Sequence, residues 1–216
     1  MKIGIIVAMD KEFAQLQKVF GNDPNVVLQK CGIGKVNAAI GATMMIEKHH
    51  PDVIISSGCA GGADPSLNVG DVVVAAETTY HDAYCGQEVA YGQIIGMPPR
   101  FKAPASLVEK ALALCAPEGV KIKSGLTVSG EWFVDSREKM AAILERFPEA
   151  VAVDMESCAI AQTCLIYKTP FISFRIISDV PLKDNHGAQY FDFWNRMAEG
   201  SFETTRQFLK AIINHE

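Results

Sequence analysis

The stretch that most constrains the fold is residues 150–165, where a short apolar run passes directly into a segment rich in small residues. The run at 150–153 suits a buried strand, and the segment at 158–165 suits a helix. Two carboxylates, Asp154 and Glu156, lie at the junction. Ligands of open α/β sheets bind beyond the carboxyl ends of the strands, so the junction predicts an acid at the mouth of a cleft. The alternative is that Asp154 caps the helix and Glu156 favours its N-terminal dipole.

Strand-like and helix-like segments alternate along the rest of the chain, and glycine-rich turns join them. This alternation predicts one α/β domain over residues 1–216, a three-layer αβα sandwich around a mostly parallel mixed sheet. The other predicted strands are residues 2–8, 25–30, 52–57, 71–77, 121–129 and 170–178. The other predicted helices are residues 10–20, 36–48, 107–115, 137–146 and 191–214, and residues 80–100 are predicted to form a long loop or arm.

Composition and charge exclude several classes of function. The formal net charge of -5 argues against a dominant surface for nucleic acid or for anionic membranes. No apolar run is long enough to span a bilayer, and the apolar start is too short for a signal segment and is followed by charges. The six cysteines include no CxxC pair and the histidines no HExxH pattern. We therefore expect reduced thiols, a cytoplasmic location and no metal.

Polar groups follow several of the predicted strands. They lie at residues 9–12, 58–62, 155–156 and 178–179. Strand exits of a parallel sheet can converge at one edge, which predicts a single site. Gly61 and Gly62 would let backbone approach a ligand without interference from a Cβ atom, although an ordinary tight turn explains them equally well. Neither this pair nor the glycines at 32 and 34 precede a GK[ST] triplet, so a Walker loop is excluded.

Eight stretches in the same order resemble the nucleoside phosphorylase/nucleosidase superfamily. They are IGIIVAMDKE, GIGKVNAAIGAT, PDVIISSGCAGG, VGDVVVA with YHDA, VSGEWF, AVDMES and RIISDV, running from the first residues to Val180. The resemblance is closest to the bacterial 5'-methylthioadenosine/S-adenosylhomocysteine nucleosidases. It implies a three-layer αβα fold, a purine nucleoside substrate, hydrolysis to adenine and a thioribose, a place in methionine salvage, and neither cofactor nor metal.

The resemblance also implies roles for individual residues. Glu12 corresponds to the base that activates water, and Asp179 to the acid that protonates the purine. Met155 and Glu156 correspond to the pair that grips the ribose, and Phe133 to the aromatic that stacks on the base. The remaining implied pocket positions are Ile33, Cys59, Ala60, Gly61, Val134 (through its backbone), Arg175 and Ser178.

The chemistry of N-ribosidic cleavage requires these residue types. The reaction passes through an oxocarbenium-like sugar, as glycoside hydrolysis does. The departing purine needs a proton, so Asp179 would have to hold one near neutral pH, which the apolar run at 171–174 would favour. Water is a poor nucleophile, and a carboxylate at Glu12 could orient and deprotonate it. Asp179 could otherwise be a simple helix or turn cap.

Three rival functions remain open at this stage. A purine nucleoside phosphorylase would need a cationic phosphate cradle, commonly arginine, whereas the first loop offers Lys11 and Glu12. Arg175 could meet an anion, or it could orient Glu12 or the water. A nucleosidase for another 5'-modified nucleoside and a purine-binding protein that has lost catalysis are the other two. Retention of Glu12, Glu156 and Asp179 together argues against the last.

Two features depart from the family pattern, and a third is retained. Only residues 21–30 connect the first helix to GIGKV, so the usual hairpin is shortened and the sheet edge should lack one or two strands. Cys59 replaces the usual serine, and a thiol is a weak hydrogen-bond donor. The arm at 84–99 retains apolar residues that would cap the partner's cleft, at Val89, Tyr91, Ile94, Ile95 and Met97. We therefore expect a homodimer; the alternative is an arm folded over its own subunit.

Overall fold

The computed structural model describes residues 1–184 and 186–213. Its strands are β1 (Ile3–Val7), β2 (Val26–Lys30), β3 (Val53–Gly62), β4 (Val72–Tyr80), β5 (Phe101–Lys102), β6 (Ile122–Ser129), β7 (Ala150–Asp154) and β8 (Phe171–Asp179). Its helices are α1 (Asp10–Phe20), α2 (Lys35–His49), α3 (Ala105–Leu112), α4 (Arg137–Leu144), α5 (Ser157–Tyr167), α6 (His186–Asp192) and α7 (Ala198–Ile213). A π-helical segment, Phe193–Met197, joins α6 to α7.

The strands form one mixed sheet in the order β2-β1-β3-β7-β6-β4-β5, and β8 closes it by pairing with both β3 and β4. β3 makes this closure possible because it is ten residues long and changes partners along its length. Its first half pairs in parallel with β1, whereas Gly61 and Gly62 pair antiparallel with β7. A register shift between Ala60 and Gly61 marks the bend. The strands β3, β7, β6, β4 and β8 consequently form a closed ring.

Helices cover both faces of the extended part of the sheet. β1 is wholly buried, as expected for a central strand that is covered on both sides. Its residues Ile3, Ile5 and Val7 pack with α1, α3 and α7, whereas Ile6 packs with α2 and α5. Alternate residues of a strand point to opposite faces, so these two contacts establish the three predicted layers.

The prediction of one continuous C-terminal helix from residue 191 is wrong. The chain is helical from His186, widens into the π-helical segment, and returns to α-helix at Ala198; predicted residue 214 lies outside the described residues. Phe208 of α7 stacks on Phe174 of β8, with ring centroids 4.7 Å apart. No helix in the described part of the chain combines the length and apolar character needed to cross a membrane.

The remaining differences concern where elements end and one short strand that was not predicted. β3 and β4 each extend beyond their predicted ends, to Gly62 and Tyr80, because the small and polar residues there still pair with β8 and β6. β5 has only two residues, which are too few to show a strand pattern in the sequence. β2 forms the edge of the sheet beside β1, and the short connection at 21–25 leads to it directly from α1.

Candidate active site

A cavity of about 330 Å³ opens at the carboxyl ends of β1, β3, β7 and β8. The convergence of strand exits expected from the sequence is therefore present. Every predicted site residue except Arg175 lines the cavity. These are Ile33, Glu12, Cys59, Ala60, Gly61, Phe133, Val134, Met155, Glu156, Ser178 and Asp179. Their individual roles stay predictions at this point.

Glu12 is a buried carboxylate held by backbone. One oxygen accepts hydrogen bonds from the amides of Ala8 and Met9, both at 3.0 Å, and the other accepts from Cys59 at 2.9 Å. A carboxylate has about four acceptor positions, so one remains for a donor inside the cavity. Burial raises the pKa of Glu12, and the nearby charge of Arg175 and the three amides oppose this without cancelling it. Such a group is suited to accept a proton.

Gly58 leaves the room that this carboxylate occupies. A Cβ atom at Gly58 would lie 2.3 Å from Oε1 of Glu12 and 2.9 Å from Nη1 of Arg175. The backbone there has φ +132°, a conformation that glycine adopts without steric cost. The position of Glu12 therefore depends on the absence of one carbon atom in β3.

Arg175 lies behind the cavity wall and does not line it, unlike the other predicted site residues. It is 1% exposed, and its guanidinium is 3.1 Å from Asp154 and 3.6 Å from Glu156. Further donors reach the hydroxyl of Ser56 at 2.8 Å and the carbonyl of Ser57 at 3.2 Å. These partners hold Arg175 within the wall and keep it from meeting a ligand anion.

Glu156 lies between this guanidinium and the cavity. The Gly34 amide donates to it at 2.9 Å. Burial raises its pKa to about 7; Arg175 lowers the pKa, and the nearby Asp154 raises it. Asp154 itself accepts from the Ser129 hydroxyl at 2.6 Å and from the amides of Glu156 and Ser157. Asp154 thus accepts from the first amides of α5, and it also lines the cavity and pairs with Arg175.

Asp179 ends β8 on the opposite part of the sheet edge. It is 8% exposed, and the Ser178 hydroxyl donates to its Oδ1 at 2.7 Å. Ser178 is itself buried and also contacts the carbonyl of Ala60 at 3.4 Å. Asp179 is therefore a carboxyl group on the cavity wall in a largely dry setting.

Aromatic side chains form the outer wall. Phe133 and Trp132 lie on the loop between β6 and α4, and Tyr190 lies on α6. Tyr190 meets Phe133 edge to face, with ring centroids 5.6 Å apart. Neither Trp132 nor Tyr190 is among the site residues predicted from the sequence. The aromatic residues at 190–194 could have indicated a site, but aromatic residues in a helical pattern are usually assigned to the hydrophobic core.

Cys59 contributes to the site through its backbone amide and not through the reactivity of its thiol. Its amide donates to Glu12, and its side chain packs against the apolar cluster beneath. Burial raises the pKa of the thiol well above its ordinary value, and the charge of Glu12 raises it further. Because the thiolate is the reactive form, the structure favours the inert interpretation of Cys59.

Part of the arm at 84–99 packs against its own subunit. Ile94 and Met97 pack beside α2 and α5. Tyr91 packs on Phe147, with centroids 6.0 Å apart. Ile95 remains 65% exposed. Only part of the arm is therefore available to a partner.

Comparison with known proteins places these features in context. The model of the phosphorylase superfamily matches residues 2–214. The 5'-methylthioadenosine/S-adenosylhomocysteine nucleosidase of Staphylococcus epidermidis is 36% identical over 230 aligned positions, covering 97% of this chain and 100% of the relative. Because 230 positions exceed the 216 residues here, the relative carries residues that this chain lacks.

Solved structures of nucleosidases are similar over nearly the whole chain. That from Neisseria meningitidis, in complex with methylthio-immucillin-A, is 34% identical with a TM-score of 0.88, covering 97% of this chain and 99% of the other. That from Colwellia psychrerythraea, in complex with adenine, is 32% identical with a TM-score of 0.88, covering 98% and 95%.

The buried charge network predicts a pH-dependent defect in Arg175→Met. Removal of one member of a buried ion pair costs about 3–5 kcal/mol, and the pKa of Glu156 should rise further once the guanidinium is gone. An unfolded glutamate titrates near 4.5. Between that value and the raised folded pKa only the folded state holds the proton, so stability increases as pH falls.

Urea unfolding followed by circular dichroism checks this at about pH 8 and about pH 5, where the variant should regain stability at the lower pH. Arg137→Met is the control, because Arg137 is 55% exposed in its pair with Asp184 and should contribute under about 1 kcal/mol. An equal loss for Arg175→Met at both pH values would contradict the network.

Proposed function

Because this chain belongs to the phosphorylase superfamily, and within it to the 5'-methylthioadenosine/S-adenosylhomocysteine nucleosidases, we propose that it hydrolyses the N-ribosidic bond of these nucleosides. The products are adenine and the corresponding 5-thioribose. The enzyme is an N-glycosyl hydrolase. The observation that carries the assignment is the Glu12 carboxylate on the cavity wall, with Arg175 enclosed behind it.

The charges around the cavity favour water over phosphate as the nucleophile. Among the described residues that line it, none is lysine, arginine or histidine. Arg175 is committed to Asp154 and Glu156. A phosphate dianion would meet Glu12 and Glu156 without a cation in direct contact, and like charges at short range repel strongly in a buried site. Water suffers no such penalty and can donate to Glu12.

We assign Glu12 as the general base and Asp179 as the general acid. Glu12 has a free acceptor position and a raised pKa, so it can take the proton of the attacking water. Asp179 lies across the cavity with the Ser178 hydroxyl fixing one oxygen, and its proton would pass to the leaving purine. Each transfer typically contributes ~10²–10⁴-fold in rate.

The remaining lining residues would hold the substrate. Glu156, fixed by the Gly34 amide, would accept hydrogen bonds from the ribose hydroxyls beside Met155. Phe133 would stack on the purine, and the backbone of Val134 would meet its edge. Ile33, Ala60 and Gly61 would complete the apolar and close-packed parts of the wall.

We further propose that the enzyme is a homodimer. Val36, Ile40 and Met44 form a stripe at helical spacing on α2 and are 69%, 54% and 57% exposed. Ile33 on the cavity wall continues the stripe, and it is 51% exposed. Exposed apolar faces of this kind mark interaction sites. A second copy is the fitting occupant because a two-fold axis would cover both stripes and bring apolar groups beside both cavities.

We also propose that the enzyme is cytoplasmic, consists of one domain and acts in methionine salvage. All six cysteines are free thiols, which suits a reducing compartment. The superfamily match over residues 2–214 supports one domain.

Adenine release should not require phosphate. We expect equal rates with and without inorganic phosphate, because the cavity presents a carboxylate to the nucleophile. Chromatography of the products of 5'-methylthioadenosine should give free 5-methylthioribose. Formation of a ribose-1-phosphate derivative would contradict the hydrolytic assignment.

Glu12→Gln and Asp179→Asn should each lower kcat by about 10²–10⁴-fold, because each keeps its shape but loses proton transfer. Adenine affinity, measured by calorimetry, should stay within a few-fold. Asp10→Asn on the same helical turn as Glu12 is the control, since Asp10 is 87% exposed. A loss smaller than about tenfold for Asp179→Asn would argue against a general-acid role.

Ile40→Asp and Ile95→Asp should each shift the protein towards monomer and weaken binding of the 5'-alkylthio nucleoside. Leu112→Asp is the control, because Leu112 is 45% exposed on α3 in the opposite helical layer. Light scattering at micromolar concentration gives the oligomeric state. A fully active monomeric wild type would overturn the proposed dimer.

A further inference from the structure

Two separate loops contribute to the wall of the cavity. The loop at 31–34 joins β2 to α2 and contributes Ile33, while its Gly34 amide holds Glu156. The loop at 130–136 joins β6 to α4 and contributes the Phe133 wall. The ribose and purine ends of the proposed site depend on how these loops are positioned relative to each other.

Three charged residues that the proposed mechanism does not use connect the two loops. Lys35 donates through Nζ to both carboxylate oxygens of Asp82, each at 2.8 Å. The other contacts are made by backbone: the Glu131 amide donates to Asp82 at 2.8 Å, and the Lys35 amide donates to Glu131 Oε1 at 2.7 Å. We call Lys35, Asp82 and Glu131 the latch.

Glu131 completes the start of α2 from outside the helix. The first amides of a helix have no partner within it, and no side chain caps α2 at Gly34. Glu131 supplies that acceptor and adds negative charge at the helix N-terminus. The fit is close, since a Cβ atom at Gly34 would lie 2.6 Å from Glu131 Oε2.

Asp82 is the shared partner that holds both loops. Its side chain is 11% exposed and that of Lys35 is 28% exposed, so the pair is shielded more than a typical surface ion pair. Burial alone would raise the pKa of Asp82, but the hydrogen bonds from Lys35 and Glu131 outweigh it and lower the pKa. Asp82 therefore stays ionised and available to both donors.

We propose that Asp82 is a positioning residue that fixes the Gly34 amide against Glu156 and the Phe133 loop against the purine, through Lys35 and Glu131. It touches neither the substrate nor the reacting bond. The inference rests on the proposed nucleosidase function. Contacts that hold the substrate equally in the ground and transition states affect KM more than kcat.

The test compares Asp82→Asn with Asp64→Asn. Asp64 is the matched control because it also pairs with one lysine, Lys123, accepts one backbone amide, from Ser66, and has a side chain 21% exposed. Asp82→Asn should raise KM for 5'-methylthioadenosine about tenfold and change kcat less than about threefold. It should also speed hydrogen exchange in residues 31–36 and 130–134. Asp64→Asn should do neither.

Two substitutions at Glu131 test the proposal independently of Asp82. Glu131→Gln keeps the acceptor oxygen and should leave KM unchanged, whereas Glu131→Ala should raise KM. If Asp82→Asn does not fold, the comparison of these two variants tests the proposal. The proposal is overturned if Asp82→Asn leaves KM and exchange in both loops within about twofold of wild type, or if Asp64→Asn raises KM equally. A wild type that releases no adenine refutes the proposed function alone, since hydrogen exchange still tests the latch.

Discussion

The buried guanidinium of Arg175 is the interaction on which the rest of the site depends. It lies in the middle of β8, 1% exposed, and it pairs with Asp154 and Glu156 from the end of β7. Its charge also lowers the pKa of Glu12 against the effect of burial. These three acids can share a dry cavity edge only because one cation is enclosed among them, since unpaired buried charge is strongly unfavourable.

The enclosed cation also determines what chemistry the cavity supports. A guanidinium that faced the ligand would attract phosphate, whereas one behind the wall only balances the carboxylates. The face towards the ligand is then left with acceptors, backbone amides and apolar surface. This arrangement suits a neutral nucleoside and water. It also places the negative charge of the carboxylates beside the position where the oxocarbenium-like sugar would develop positive charge.

Local patterns in the sequence predicted most of the fold and the region of the site. The apolar runs ending at Asp154 and Asp179 indicated strands whose exits converge, and the ring of strands brings those exits to one cavity. Arg175 illustrates what such patterns cannot give, because no local signal decides whether a polar residue inside a strand faces the ligand or the wall. The latch could not be predicted from the sequence either. Lys35 and Glu131 lie 96 residues apart, and neither differs in the sequence from an ordinary charged surface residue.

If the reaction depends on the position of the Glu12 carboxylate, Gly58→Ala should disable it. The added Cβ would lie 2.3 Å from Glu12 Oε1, so the carboxylate must move, and a displacement of about 1 Å can cost about a hundredfold in rate. Gly96→Ala is the control, because Gly96 also has a positive φ but no atom within 4 Å of the added carbon. Gly58→Ala should lower kcat for adenine release about a hundredfold, while adenine affinity stays within a few-fold and Gly96→Ala behaves as wild type. A folded Gly58→Ala enzyme with a kcat within about twofold of wild type would show that catalysis does not depend on this position of Glu12.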